Sequence, residues 1–233
     1  MENDNLVRIF IGYDYRERAA TNILIDSLYQ KSSVPLCITT LVTSQLKSLG
    51  IYNRARDPKQ STDFSFTRFL VPYLSDYKGW AIFMDCDMLC YEDIKNLWDQ
   101  RNNQFSVMCV KHEHIPSEEK KFQGEIQSPY PKKNWSSLML MNCEKCKKLT
   151  VNYVNTKSGL DLHRFHWLEG DHEIGEITGN WNYLVDVNNQ GLENQSLVHW
   201  TLGGPWFKDQ RLMGGKLAAE WFSARDDAMR LWD

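Results

Sequence analysis

The amino-acid sequence predicts an α/β protein, a single domain with a mostly parallel central sheet flanked by helices. Three observations carry that expectation. Short β-type runs alternate with stretches of helical spacing along most of the chain, which is how strand–helix–strand units read in sequence. Five consecutive apolar residues, Trp80–Met84, fit a strand covered on both faces, as a parallel sheet requires. A length of 233 residues supplies one substantial core but leaves little room for a second full domain.

The elements follow in order. Residues 6–12 form the first expected strand, closing on Gly12. Residues 16–30 have helical spacing, with Ala20, Ile23, Leu24 and Leu28 on one face. Pro35 introduces a second strand over 36–42, and Ser44 is expected to cap a short helix ending at Gly50. A polar loop covers 57–63, and 65–74 reads as a helix that Pro72 kinks or ends. The apolar strand Trp80–Met84 comes next, then a short helix over 93–100 and a strand over 105–111. The connection 111–134 carries Pro116, Pro129 and Pro131 without clear periodicity, and a segment of that length is expected to be functional or mobile. A compact apolar strand over 136–141 stops at Asn142, a helix is expected over 144–155, and a short helix within 166–177 presents Asp171. A strand over 196–200 and a Gly203-Gly204-Pro205 turn precede the last helix, 216–232, with Leu217, Trp221, Ala224, Ala228 and Leu231 on one side.

Composition narrows the function classes. Hydrophobic content of 42% and charged content of 24% are ordinary for a globular chain, and a net charge of −3 gives no electrostatic reason to expect nucleic acid as partner. Nine Trp and ten Tyr exceed what such a core needs; the surplus rings either line a groove or simply pack. The six cysteines have no framework-like spacing, and the lone Cys143-x-x-Cys146 pair lacks the four ligands of structural zinc, so it reads as an accident of a strand-to-helix junction. The acidic start, Met-Glu-Asn-Asp-Asn, does not read as a secretion signal, and no apolar run approaches membrane-spanning length, so a cytoplasmic, reduced protein is expected. Trp221, Phe222 and Trp232 beside Lys216, Arg225 and Arg230 allow peripheral membrane contact by the last helix, although core packing is the expected role of its apolar face.

The chemistry concentrates where the apolar strand ends, in Asp85-Cys86-Asp87. Open α/β sheets bind ligands at the carboxyl ends of their strands. Two carboxylates on one short loop can share a hard divalent cation, Mg²⁺ or Mn²⁺, that keeps phosphate as a further ligand. A plain polar turn is the simpler alternative.

In its context this segment resembles the Asp-x-Asp motif of nucleotide-sugar glycosyltransferases with the GT-A (Rossmann-like) fold, and in particular glycosyltransferase family 8 and related bacterial proteins. An early strand ends in Ile11-Gly12-Tyr13-Asp14-Tyr15, where that family begins its nucleotide pocket. Residues 65–74, Ser-Phe-Thr-Arg-Phe-Leu-Val-Pro-Tyr-Leu, look like its arginine-bearing helix, with Arg68 as the arginine. Residues 136–142, Ser-Ser-Leu-Met-Leu-Met-Asn, are similar to its small-residue strand ending in Asn. Glu169-Gly170-Asp171-His172, with Trp181-Asn182 downstream, takes the place of an Asp-Gln segment, and residues 199–206, His-Trp-Thr-Leu-Gly-Gly-Pro-Trp, resemble the C-terminal signature. The matches run from 7 to 206.

The resemblance implies a metal-dependent glycosyltransferase that moves a sugar from a nucleotide-diphosphate donor, by family habit a UDP-sugar, to a carbohydrate or glycoconjugate acceptor with retention. It implies metal ligation by Asp85, Asp87 and His199, with Mn²⁺ preferred because imidazole is softer than carboxylate. Donor contacts are implied for Gly12, Tyr13, Asp14, Tyr15, Arg68, Asp85, Ser137, Gly203 and Gly204, with Lys208 a candidate phosphate contact. Asp171 and His172 are the candidate catalytic pair. Residues 6–110 then form the nucleotide-binding part, 111–210 the acceptor and donor-sugar part, and 214–232 the C-terminal helix. Each residue also has a simpler role open to it: His199 packed beside Trp200, Arg68 in a structural ion pair with Asp85, a tight turn at Gly203-Gly204, and a helix cap or first-turn acid at Asp171.

Four positions depart from the family pattern. His172 stands where Gln is usual, Trp135 and Ser137 replace Asn and Gly, and Gly204 precedes Pro205 where the family has Lys. Two other function classes follow. One is a catalytically impaired sugar-nucleotide-binding protein. The other is a haloacid-dehalogenase-type phosphatase with Asp85 as nucleophile, which the two strands expected ahead of Asp85 disfavour.

Overall fold

The computed structural model describes residues 6–57, 60–112, 132–188 and 194–230. Its main sheet has six strands in the order β2-β1-β3-β6-β5-β7. These are β1 (Val7–Gly12), β2 (Leu36–Leu41), β3 (Trp80–Met84), β5 (Val107–Cys109), β6 (Leu138–Asn142) and β7 (Ile174–Glu176). A second sheet of three strands, in the order β4-β9-β8, joins Met88–Cys90, Leu197–His199 and Tyr183–Leu184.

The main sheet is mostly parallel, as expected, but mixed, because one of its six strands is reversed. β1 runs parallel to both neighbours and β5 parallel to β7, but β6 lies antiparallel to β3 and β5. Sequence could not separate the two cases, because a strand buried on both faces reads as an unbroken apolar run in either direction. Every residue of β3 and β6 is buried. The reversal has a functional consequence: the register Met84↔Leu138 brings the start of β6 beside the end of β3.

Helix α1 (Arg18–Lys31) buries Ala20, Ile23, Leu24 and Leu28, the expected face, after a 3-10 turn at Tyr15–Glu17. α2 (Thr43–Ser48) is capped at Val42 without a side-chain bond, so Ser44 lies inside the helix rather than at its cap. Residues 67–70 form a 3-10 turn that passes into α3 (Val71–Leu74); Pro72 sits in the first helical turn, where its missing N–H costs nothing, and therefore neither kinks nor ends it. α4 (Ile94–Trp98) is capped by the Asp93 side chain. The helix expected over 144–155 is instead a 3-10 turn, Cys143–Lys145, and a separate α5 (Val151–Thr156) capped by Thr150. α6 (Gly159–His163) carries a full capping box between Ser158 and Asp161. The helix expected around Asp171 is a single 3-10 turn, Asp171–Glu173, leading straight into β7.

The last helix, α7 (Lys216–Ala228), buries Leu217 and Trp221, while Ala228 is exposed. Trp221 lies 5.5 Å from Trp206, and Trp206 lies 5.9 Å from Trp200. These rings fill a second core beside the small sheet, which accounts for part of the tryptophan surplus as packing. No helix among the described residues is long and apolar enough to cross a membrane. Most of the long connection, 113–131, and positions Leu231 and Trp232 of the expected last helix lie outside the described residues.

Candidate active site

The end of β3 is held by backbone bonds from two directions. Asp85 N–H donates to the Ser137 carbonyl at 2.9 Å, a contact made available by the antiparallel β6. The Asp87 carbonyl accepts from Trp200 N–H at 2.9 Å, and β4 pairs Met88 with His199 across the small sheet. The acidic loop is thus the seam between the two sheets.

Three side chains converge there. His199 Nε2 lies 3.2 Å from Asp87 Oδ1 and 3.9 Å from Asp85 Oδ2. One ligand atom from each of Asp85, Asp87 and His199 can be chosen so that all lie within 4.8 Å of one another. All three residues are largely buried, at 9%, 7% and 1% exposure. Asp85 Oδ1 and Asp87 Oδ1 are shielded from solvent and accept no hydrogen bond of good geometry from the described residues. Two carboxylates buried this close together are costly unless positive charge faces them. Two carboxylates and an imidazole suit Mn²⁺ or Mg²⁺, so the donor set fits a divalent cation.

Arg68 supplies one fixed positive charge. Its Nη1 lies 2.9 Å from Asp85 Oδ1 and donates to the Ser136 carbonyl at 2.8 Å, with the guanidinium 5.0 Å from the Phe83 ring centroid and 5.3 Å from that of Phe64. The structural ion pair open to Arg68 from sequence is therefore formed. Burial pushes the Asp85 carboxyl up to about 6, with Arg68 opposing the rise and Asp87 adding to it. Burial works against the charged form of His199, but the carboxylates of Asp87 and Asp85 outweigh it and raise its pKa. Glu17 lies behind the loop, accepting from Cys86 Sγ at 3.6 Å; burial and the charge of Asp87 push its carboxyl well above the ordinary range.

Behind His199 sits a polar network. Asn182, fully buried with φ of 59°, contacts His199 Nδ1 at 2.9 Å, donates to Ser137 Oγ at 2.9 Å and reaches His112 Nε2 at 3.1 Å. Burial, then the proximity of His199, pushes His112 down to about 4, so its ring is neutral near pH 7.

A cavity of about 330 Å³ opens at the carboxyl ends of β1 and β2, lined by Tyr13, Tyr15, Thr43, Lys47, Tyr52 and Arg54 among others. Gly12 faces the core instead: a Cβ there would lie 2.3 Å from Phe64 Cδ2. Asp14 is fully buried, clamped by Arg16 Nε at 2.9 Å and Nη2 at 2.6 Å and by the N–H groups of Arg16 and Asp63. Gly203 has φ of +97°, and a Cβ on Gly204 would lie 2.3 Å from Trp206 Cη2, so packing alone calls for glycine at both.

The structure brings together Arg68, Asp85, Asp87, Ser137 and His199. No hydrogen bond or ion pair among the described residues joins Asp171, His172 or Lys208 to them. Asp171 is 76% exposed at its side chain and paired with Lys132 Nζ at 2.5 Å, while Lys132 also donates to the Arg164 carbonyl at 3.0 Å. Gly170 occupies the cap position, so Asp171 is a first-turn acid and not a cap. His172 and Lys208 are exposed. Sequence reading missed Glu17, His112 and Lys132, and met Asn182 only as part of a Trp-Asn pair. None of the four stands in a local pattern that marks it; each reaches its place through tertiary contacts.

A buried acidic loop at the end of a sheet strand, closed by a histidine from a smaller sheet, on a mixed α/β core, is the arrangement expected of a GT-A glycosyltransferase. Solved structures agree. The chain superposes on the bifunctional glycosyltransferase WbbM with a TM-score of 0.65 at 12% identity, covering 97% of this chain and 50% of that one. It matches the galactosyltransferase LgtC, solved with donor and acceptor sugar analogs, at 0.59 and 8% identity over 97% and 98% of the two chains. Glycosyltransferase GlyE of Streptococcus pneumoniae gives 0.61 at 13% identity, over 98% of this chain and 61% of that one. In sequence, the chain is 47% identical to Protein CDI of Arabidopsis thaliana over 207 residues, 86% of this chain and 79% of that protein. The model of glycosyl transferase family 8 matches residues 19–209, and the chain belongs to that family. Family and fold together make it a sugar-transferring enzyme.

Proposed function

We propose that this protein transfers a sugar from a UDP-sugar to a carbohydrate or glycoconjugate acceptor, with retention at the anomeric carbon, using a divalent cation held by Asp85, Asp87 and His199. The observation that supports this best is the convergence of three buried ligand-type side chains, two carboxylates and an imidazole, with one ligand atom of each within 4.8 Å of the others. A divalent cation held by these residues, Mn²⁺ by preference, would neutralise the charge that develops on a departing diphosphate.

The remaining roles are assigned to this chain's own residues. Arg68 balances Asp85 and keeps that carboxylate ionised despite its burial. Tyr13 and Tyr15 line a cavity of a size suited to a nucleoside, where Lys47 and Arg54 add positive charge. Asp14 shapes this region from beneath, since its carboxylate is spent on Arg16 and Asp63. Gly204 offers its backbone N–H to phosphate, that of Gly203 being donated to the Trp200 carbonyl at 2.9 Å, and Lys208 replaces the lysine missing before Pro205. Asp171 stabilises positive charge at the anomeric carbon once released from Lys132, with His172 beside it to orient the sugar. In this reading the whole chain is one glycosyltransferase unit, donor side over 6–110 and acceptor side over 111–210.

One observation favours a second reading, a binder of sugar nucleotides that performs no transfer: Asp171 is exposed and neutralised by Lys132. Donor turnover separates the two. The proposed enzyme releases UDP from at least one UDP-sugar in the presence of Mn²⁺, and Asp87→Ala abolishes that release. Nucleotide binding without turnover of any donor, with acceptors supplied, would instead establish the binder.

A further inference from the structure

We propose that Ser137 and Asn182 form a positioning relay that keeps the proton of the neutral His199 ring on Nδ1, leaving the Nε2 lone pair facing Asp85 and Asp87. The functional meaning of the relay rests on reading those three residues as a cation site, but its existence does not.

The argument starts from a group whose polarity cannot change. The backbone carbonyl of Asn134 only accepts, and Ser137 Oγ lies 2.6 Å from it, so the hydroxyl proton is spent there. Toward Asn182, Ser137 Oγ can then only accept, and it does so from Nδ2 at 2.9 Å. That fixes which way the amide faces. Its oxygen, Oδ1, is turned to His199 Nδ1 at 2.9 Å, and an amide oxygen only accepts, so Nδ1 must carry hydrogen. The second N–H of the same amide reaches His112 Nε2 at 3.1 Å, a ring kept neutral by burial and therefore able to accept. Each bond determines the direction of the next.

The relay opposes a competitor in the same site. Asp87 Oδ1, 3.2 Å from His199 Nε2, would draw the ring proton onto Nε2, where it excludes a cation. Holding the proton on the far nitrogen keeps Nε2 as a ligand atom, the arrangement found where a metal-binding histidine donates its other N–H to a neighbour. Asn182 suits the task in its backbone too, because Asn tolerates the positive φ of 59° better than most residues.

The test uses ¹⁵N-labelled, metal-free full-length protein and long-range ¹H–¹⁵N spectra of its six histidines, with His199 assigned by loss of its signals in His199→Gln. At a pH where the ring carries one proton, wild type is expected to show Nδ1–H. Ser137→Ala frees the amide to turn, and Asn182→Gly removes it while accepting the same backbone angle; both are expected to move the proton toward Nε2. Asn182→Asp, which still accepts from Nδ1–H, is expected to keep the wild-type tautomer and controls for loss of folding. Mn²⁺ affinity, read from the electron paramagnetic resonance of free Mn²⁺, is expected to fall about 10-fold in Ser137→Ala. Nε2–H in wild type, or unchanged Nδ1–H in both Ser137→Ala and Asn182→Gly, overturns the relay. If wild type shows Nδ1–H and the variants shift but Mn²⁺ binds none of them, the relay stands and the cation reading falls.

Discussion

Arg68 and Asp85 illustrate how a single residue here serves stability and chemistry together. Their ion pair is almost closed to solvent, with side-chain exposures of 6% and 12%. Removing one partner from such a pair leaves an uncompensated buried charge, which typically costs about 3–5 kcal/mol. Arg68→Met is expected to lower stability by that order in denaturant unfolding, and Arg68→Met combined with Asp85→Asn is expected to lose less than Arg68→Met alone. Asp14 gives a prediction about pH. Burial alone would raise its carboxyl, but the bonds from Arg16 and from Asp63 N–H outweigh burial and lower it. A lowered native value means stability that is fully present above the unfolded pKa, about 3.9, and lost as pH falls through the native value. The difference in Tm between wild type and Asp14→Asn is therefore expected to be constant near neutrality, to narrow below about pH 4 and to close in stronger acid. A difference that persists unchanged in acid would contradict it. Arg68, Asp85, Asp87 and His199 were legible in sequence because each lies in a short motif. Asn182 was not, since its role comes from a fold that brings residues 134, 137 and 199 around it.

At the scale of elements, strands and helices were more legible than the direction of pairing. The runs 80–84 and 138–142 are apolar throughout, and such runs identify buried strands without saying how they pair. The short strands β4, β7 and β8 escaped notice because two or three residues carry no readable period. Glycine at position 12 was read by resemblance as a donor contact, and packing gives it a reason of its own, because the ring of Phe64 lies 2.3 Å from where a Cβ would stand. Gly12→Ala is expected to cost about 1–3 kcal/mol through overpacking against β1, and to be partly rescued by Phe64→Leu. In α7 the first half of the expected apolar face, Leu217 and Trp221, is core while Ala228 is exposed, and Trp221, 2% exposed, is the anchor. Trp221→Ala is expected to destabilise by about 3–5 kcal/mol in chemical denaturation while leaving Mn²⁺ affinity near the wild-type value. A large loss of affinity with little loss of stability would show that α7 communicates with the acidic loop.

The whole molecule is organised around a seam. The six-stranded sheet supplies Asp85 and, through the antiparallel β6, the backbone that holds it; the three-stranded sheet supplies His199 and grips Asp87 through Trp200. A site made at the junction of two sheets is rigid at its base, which suits a cation whose ligands must stay in place. Asp171, His172 and Lys208 are exposed and are joined to this seam by no hydrogen bond or ion pair among the described residues. The central claim is that the acidic loop and His199 bind a nucleotide diphosphate through a divalent cation. Isothermal titration of UDP into the protein, with Mn²⁺ and with chelator, tests it most directly, using wild type and Asp87→Asn. The account predicts binding that weakens at least about 10-fold, or 1.4 kcal/mol, on chelation, and an Asp87→Asn variant in which Mn²⁺ no longer matters. UDP binding that is equally tight with chelator, or equally dependent on Mn²⁺ without the Asp87 carboxylate, would contradict it.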